Sequence, residues 1–121
     1  MTHRFVPVAA VLGLLASTSI AFAHAHLKTA TPAPDSTVQA APTAIGIDFT
    51  EGVEPQYSSI VVQNADGQAV STGAAATAPD NNKHLSIGVG TLAPGMYRVI
   101  WHATSVDTHK TQGTYQFTVK P

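Results

Sequence analysis

The sequence predicts an all-β fold, a Greek-key barrel or sandwich of about seven short strands. Three observations support this prediction. Short segments rich in β-branched and aromatic residues alternate apolar with polar side chains, turn residues separate these segments, and no window beyond residue 23 keeps an apolar period of about 3.6 residues. An alternating period places one face of each strand against a core and the other in solvent.

The predicted strands follow one another along the chain, each bounded by turn residues. They cover residues 27–31, 44–49, 58–63, 68–70, 84–89, 96–103 and 113–119. Pro32 and Pro34 end the first strand, because proline cannot donate a hydrogen bond to a ladder. Residues 64–67, Asn-Ala-Asp-Gly, are predicted to form a turn, and the polar segment 73–82 is predicted to be a loop.

The alternation within the strands also identifies the predicted core. The inward positions are Ile45, Ile47, Phe49, Leu85, Ile87, Val89, Tyr97, Val99, Trp101, Tyr115, Phe117 and Val119. The chain contains no cysteine, so no disulfide can support this core and no thiolate can act as a ligand. A small domain of this kind therefore depends on hydrophobic packing.

Residues 1–23 have the layout of a secretory signal peptide. A basic start precedes an apolar run over residues 5–20, and Ala21 and Ala23 provide the small residues of a cleavage site. Beyond residue 23 no apolar run approaches the ~20 residues needed to cross a bilayer. The mature protein is therefore expected in an exported compartment and is not expected to span a membrane.

The position of cleavage decides which residue carries the free α-amine. Cleavage after Ala23 leaves a domain of residues 24–121 that begins with His24. Cleavage after Ala25 is the alternative, because Ala23 and Ala25 have the same small-x-small spacing. His26 would then be the first residue.

The charge of the chain excludes one large class of partners. Six Lys and Arg residues against seven Asp and Glu residues give a formal net charge of −1, and the basic residues form no stripe. Nucleic acid is therefore not an expected partner. The chain also lacks a Gly-rich phosphate loop and a serine nucleophile elbow.

Two histidine-bearing segments are candidate metal sites. An N-terminal His24 offers two nitrogens, the α-amine and the imidazole. Asp107 and His109 form an Asp-x-His pair, and an extended segment would place both side chains on the same side. Three nitrogens and one oxygen suit the tetragonal geometry of Cu(II) better than Zn(II). Taken alone, however, the Asp-x-His pair is better explained by a solvated turn.

His26 raises a competing possibility. As the third mature residue it could bind Cu(II) together with the α-amine and two deprotonated backbone amides, four nitrogens in a plane. That mode competes with the one containing Asp107 and His109 for the same amine. If the first strand pairs with a sheet, the amides near His26 are partly committed to the ladder. We therefore expect His26 beside the site, as an auxiliary residue at most.

The remaining histidines are weaker candidates. His84 begins a predicted strand after polar residues and is expected to be solvated. His102 alternates with Trp101 and is expected to face the other side of its strand.

The whole domain, from His24 to Val119, resembles the CopC family of periplasmic copper-binding and copper-resistance proteins. The residues that carry the resemblance are His24 after the Ala-x-Ala site, Leu27-Lys28, Pro32, Ile47-Asp48-Phe49-Thr50-Glu51, Leu92-Ala93-Pro94-Gly95-Met96-Tyr97-Arg98-Val99, Trp101, Ser105-Val106-Asp107-Thr108-His109, and Gly113-Thr114-Tyr115-Gln116-Phe117-Thr118-Val119. The resemblance implies a cupredoxin- or immunoglobulin-like Greek-key fold. It also implies one Cu(II) held by His24, through its amine and imidazole, and by Asp107 and His109.

The resemblance further implies a function and a partner. The expected function is that of a non-enzymatic copper carrier or buffer in the periplasm, serving copper homeostasis or resistance. The expected partner, besides copper, is an inner-membrane copper transporter of the CopD type. Some members of the family also bind Cu(I) in a methionine-rich loop, but Met1 and Met96 are the only methionines here. The chain is therefore expected to be a Cu(II)-only member.

Two other functions stay open on the sequence. Copper-dependent polysaccharide oxygenases also hold their metal with an N-terminal histidine and a second histidine, although they keep a coordination position open. A structural β-sandwich module without metal would require the placement of His24, Asp107 and His109 to be coincidental.

Overall fold

The computed structural model describes residues 24–121, and all described elements but one are strands. In chain order they are β1 (Leu27–Thr31), β2 (Thr37–Val38), β3 (Ala44–Phe49), β4 (Ser59–Asn64), β5 (Ser71–Ala78), β6 (Asn81–Val89), β7 (Gly95–Thr104) and β8 (Lys110–Val119). A short 3₁₀ turn, Pro55–Tyr57, precedes β4. The predicted signal peptide, residues 1–23, lies outside the described residues. Within residues 24–121, no helix has the length and apolar character needed to cross a bilayer.

The strands form two four-stranded sheets. The first sheet has the order β1-β3-β6-β5 and the second has the order β2-β8-β7-β4. Every strand pair is antiparallel except β2 with β8. The chain crosses repeatedly from one sheet to the other, which confirms the predicted all-β sandwich.

The core fills the space between the two sheets. Phe49 of the first sheet meets Trp101 of the second edge to face, with ring centroids 5.3 Å apart. Tyr97 stacks on Phe117 at 5.4 Å. Fully burying an aliphatic or aromatic side chain of this size contributes about 1.5–3 kcal/mol. Of the predicted core residues, ten are buried, whereas Val89 and Tyr115 are packed against the core but only partly buried.

The prediction of a loop over residues 73–82 was wrong. This segment contains most of β5, a turn at Pro79 and Asp80, and the start of β6. Alanine, glycine and asparagine have low strand propensity, but pairing with β6 overrides it here. The register of β5 against β6 shifts between Thr72 and Ala76, next to Gly73 at φ +74°. This irregularity interrupts the alternation of inward and outward side chains by which a strand is recognised in the sequence. In contrast, residues 68–70 contribute only an isolated bridge at Ala69.

Candidate metal centre

A tight turn, residues 105–109, joins β7 to β8 and carries two of the predicted ligands. The backbone N–H of Ser105 donates to the carbonyl of His109 at 2.8 Å, and the N–H of Thr108 donates to the carbonyl of Ser105 at 2.8 Å. Thr108 has φ +75°, in the left-handed region. The Asp-x-His pair is therefore not extended as expected; the chain reverses between its two members.

This turn nevertheless brings the two side chains together. The Oδ1 atom of Asp107 lies 3.2 Å from Nδ1 of His109. Asp107 also accepts a hydrogen bond from the hydroxyl of buried Ser105, and that hydroxyl oxygen accepts from the N–H of His109 at 3.1 Å. The bonds from Ser105, and then from His109, lower the pKa of the Asp107 carboxyl below its usual range. Asp107 is therefore a carboxylate at neutral pH, the form that a metal needs.

The N-terminal segment meets this turn. The ring centroid of His24 lies 4.6 Å from that of His109, in an edge-on arrangement, and 6.0 Å from that of His26. The side chains of Asp107 and His109 are 41% and 44% exposed, so an ion can reach them from solvent. His24, Asp107 and His109, which are distant in the sequence, thus lie at one end of the sandwich.

The backbone of residues 24–26 is held by both sheets. Ala25 is fully buried, and its carbonyl accepts a hydrogen bond from the Thr111 hydroxyl of β8 at 2.5 Å. The Thr50 hydroxyl accepts from the N–H of His26 at 3.0 Å and donates to the carbonyl of His24 at 3.1 Å. The N–H of Thr50 donates to the carbonyl of His26 at 2.9 Å. These contacts fix the backbone of residues 24–26 next to the turn that carries His109.

The side chains of His24, Asp107 and His109 do not by themselves form a complete coordination site. Among residues 24–121, no group of three or more His, Asp or Glu side chains has the arrangement of a formed metal centre. The contacts pair His24 with His109 and His109 with Asp107. The remaining nitrogen of the predicted ligand set is a backbone α-amine, which exists at His24 only after processing. The donor types, three nitrogens and a carboxylate oxygen, fit Cu(II).

Comparison with known proteins decides the family. The CopC domain model matches residues 27–120, a range that includes Asp107 and His109. The chain belongs to the CopC family. It is 39% identical over 112 residues to the protein YobA of Escherichia coli, covering 92% of this chain and 90% of YobA. It is 31% identical over 99 residues to the copper transport protein CutJ of Bacillus subtilis, covering 81% of this chain but 18% of CutJ.

Solved structures of this family have the same fold. The structure of CopC from Methylosinus trichosporium OB3b matches with a TM-score of 0.77 and 36% identity, covering 81% of this chain and 95% of that one. PcoC, a methionine-rich copper resistance protein from E. coli, matches with a TM-score of 0.71 and 33% identity, covering 81% of this chain and 100% of PcoC.

A second histidine–carboxylate pair of this CopC domain was missed by the sequence prediction. His84 was expected to be solvated, but its Nδ1 lies 2.8 Å from Oδ1 of Asp48, and Thr29 donates to Oδ2 of Asp48 at 3.0 Å. The bond from His84 lowers the pKa of Asp48. Asp48 and His84 are direct partners in the β3–β6 register, so only knowledge of strand pairing could have found them. His102 is exposed, on the other face from buried Trp101, as predicted.

Proposed function

We propose that the processed chain is an exported copper-binding protein that carries or buffers one Cu(II). The ligands are the α-amine and imidazole of His24, the carboxylate of Asp107 and the imidazole of His109, with His26 as an auxiliary residue at most. The observation that carries this proposal is the 4.6 Å approach of the His24 and His109 rings, beside an ionised Asp107. Membership of the CopC family supports it, as does similarity to the copper resistance protein PcoC and the copper transport protein CutJ.

The absence of soft ligands favours Cu(II) over Cu(I) as the cargo. The chain has no cysteine and two methionines, and Met96 is the only methionine in residues 24–121. Thioether and thiolate ligands are the ones that Cu(I) prefers. A single methionine, 50% exposed on β7, does not form such a site.

The proposed location is the periplasm, after removal of residues 1–23. The proposed partner is an inner-membrane copper transporter of the CopD type. CutJ supports this choice, because it is a copper transport protein and the region similar to this chain makes up only 18% of its length. A carrier role is preferred to an oxygenase role because Asp107 would occupy a coordination position that oxygen chemistry needs open.

The decisive experiment compares two forms of the protein that differ only at the terminus. One begins at His24, and the other retains one additional residue before it. Competitive Cu(II) titration should give one tight site in the first form and an affinity weaker by orders of magnitude in the second, because an amide nitrogen replaces the chelating amine. Equal affinities would overturn the proposed ligand set. Mass determination of the exported protein tests whether processing occurs after Ala23 or after Ala25.

A further inference from the structure

The first three residues of the processed domain contain the ligands for two different Cu(II) complexes. One uses His24 together with Asp107 and His109. The other is local and uses the α-amine, the backbone nitrogens of Ala25 and His26, and the imidazole of His26. Both need the same amine, so one chain cannot form both at once. Which complex forms depends on how firmly the backbone of these three residues is held.

The Thr50 hydroxyl contacts the backbone atoms that distinguish the two complexes. It accepts a hydrogen bond from the N–H of His26 at 3.0 Å and donates one to the carbonyl of His24 at 3.1 Å. In the local complex the nitrogen of His26 is a copper ligand, so its N–H cannot remain bonded to Thr50. The complex with Asp107 and His109 uses neither the nitrogen of His26 nor the carbonyl of His24 as a ligand, so both hydrogen bonds can persist in it.

The position of Ala25 also disfavours the local complex. Its side chain is fully buried, and its carbonyl accepts from Thr111 at 2.5 Å. To arrange four nitrogens in a plane around one ion, residues 24–26 would have to leave this position. The imidazoles of His24 and His109 already lie 4.6 Å apart, so the other complex needs no such rearrangement.

We propose that Thr50 is a positioning residue that selects the complex containing Asp107 and His109 over the local one. The inference rests on the proposed function. Thr50 is not a ligand; its hydroxyl acts through the backbone of His24 and His26. Each such hydrogen bond makes a modest net contribution, so loss of both bonds should shift the ratio of the two complexes toward the local one by between about fivefold and about a hundredfold.

The test uses the processed protein with one equivalent of Cu(II), followed by electron spin resonance and visible absorption. Thr50→Val removes the hydroxyl at nearly constant shape, whereas Thr50→Ser keeps it. Thr29→Val is the matched control, because it removes a hydroxyl on β1 that bonds to Asp48 and contacts none of residues 24–26 in the bonds described. The peptide His-Ala-His-Leu, with a free amine and the sequence of residues 24–27, supplies the spectrum of the local complex.

The wild type, Thr50→Ser and Thr29→Val should share one spectrum that differs from that of the peptide. Thr50→Val should add a component that matches the peptide, and adding His26→Ala to this variant should remove it. Thr50→Ala introduces no new bulk and should behave as Thr50→Val does, so the test does not depend on the folding of one variant.

The two possible failures are distinguishable. A wild-type protein that binds no Cu(II), or that gives the peptide spectrum, would overturn the proposed function itself. A wild type with its own spectrum, together with Thr50→Val and Thr50→Ala variants that keep this spectrum unchanged, would overturn the role of Thr50 alone.

Discussion

The imidazole of His24 meets that of His109 edge-on, with 4.6 Å between the ring centroids, and this contact joins the two sheets. His24 precedes β1 of the first sheet, whereas His109 precedes β8 of the second. A metal ion bound by both residues would therefore link distant parts of the chain. A ligand that binds only the folded state raises its stability by mass action, so the location of the site has thermodynamic consequences.

The first prediction concerns the identity of the ligands. Copper should raise the melting temperature of the processed protein, and His109→Ala should reduce both this rise and the affinity most strongly. Asp107→Ala should have a smaller effect and His26→Ala the smallest. Cu(II) titration, electron spin resonance and thermal melts of the three variants provide the measurement.

The local complex makes the opposite prediction for the same variants. It would form at least as readily in an unfolded chain as in a folded one, so it would give little or no stabilisation. If His26→Ala abolished tight binding while His109→Ala left the spectrum and the melting shift intact, then Asp107 and His109 would not be ligands. His102→Ala, which removes an exposed imidazole on the outer face of β7, is a suitable control.

The second prediction is that copper affinity rises steeply from mildly acidic to neutral pH. Free imidazole and α-amine groups titrate near ~6.5 and ~7.8, and both must lose their protons to bind a metal. The lowered pKa of Asp107 means that its carboxylate is already ionised throughout this range. The slope should therefore persist in Asp107→Asn, although at lower affinity. Affinity that stayed flat across the range would point to other ligands.

The third prediction is that the protein binds Cu(I) only weakly. Met96 is half exposed and is the only thioether in residues 24–121, so Cu(I) would have to rely on imidazoles. Titration with Cu(I) against a competing chelator should give no tight one-to-one complex. Met96→Leu, which preserves size and removes sulfur, should give the same curve. Tight retention of Cu(I) by the wild type would contradict a Cu(II)-only cargo.

The predicted elements show where sequence information is sufficient. The bounds of β1 and β3 were predicted correctly, because proline marks the end of one and alternation of isoleucine marks the other. The approach of Asp107 to His109 was also anticipated, although a left-handed residue at Thr108, and not an extended segment, produces it. His24, Asp107 and His109 were proposed as ligands from their type and position in the sequence, and the structure places His24 and Asp107 each beside His109.

The contacts between distant strands were not predictable in the same way. The alanine-rich β5 has no alternating pattern of its own and depends on pairing with β6. The two roles of the Thr50 hydroxyl require the positions of His24 and His26 in space. The pair of Asp48 and His84 likewise follows only from the register of β3 against β6.

The fourth prediction concerns that pair and the stability of the first sheet. Thr29 of β1, Asp48 of β3 and His84 of β6 form a chain of hydrogen bonds across three neighbouring strands, and Lys28 adds a favourable charge near Asp48. Asp48→Asn should lower the free energy of unfolding at neutral pH. Since the pair is substantially exposed, the loss should not exceed about 1 kcal/mol.

The pH dependence of this loss follows from the direction of the pKa shift. The pKa of Asp48 is lower in the folded protein than in the unfolded chain, mainly through the bond from His84. Its stabilising contribution is therefore fully present above the unfolded value of ~3.9 and declines as the pH falls through the lower folded value. Denaturant unfolding at a series of pH values should show the wild type and Asp48→Asn converging in acid. Asp66→Asn, on the exposed turn after β4, controls for the change in charge. A difference that stayed constant into strong acid would show that the ionised carboxylate of Asp48 is not what stabilises the sheet.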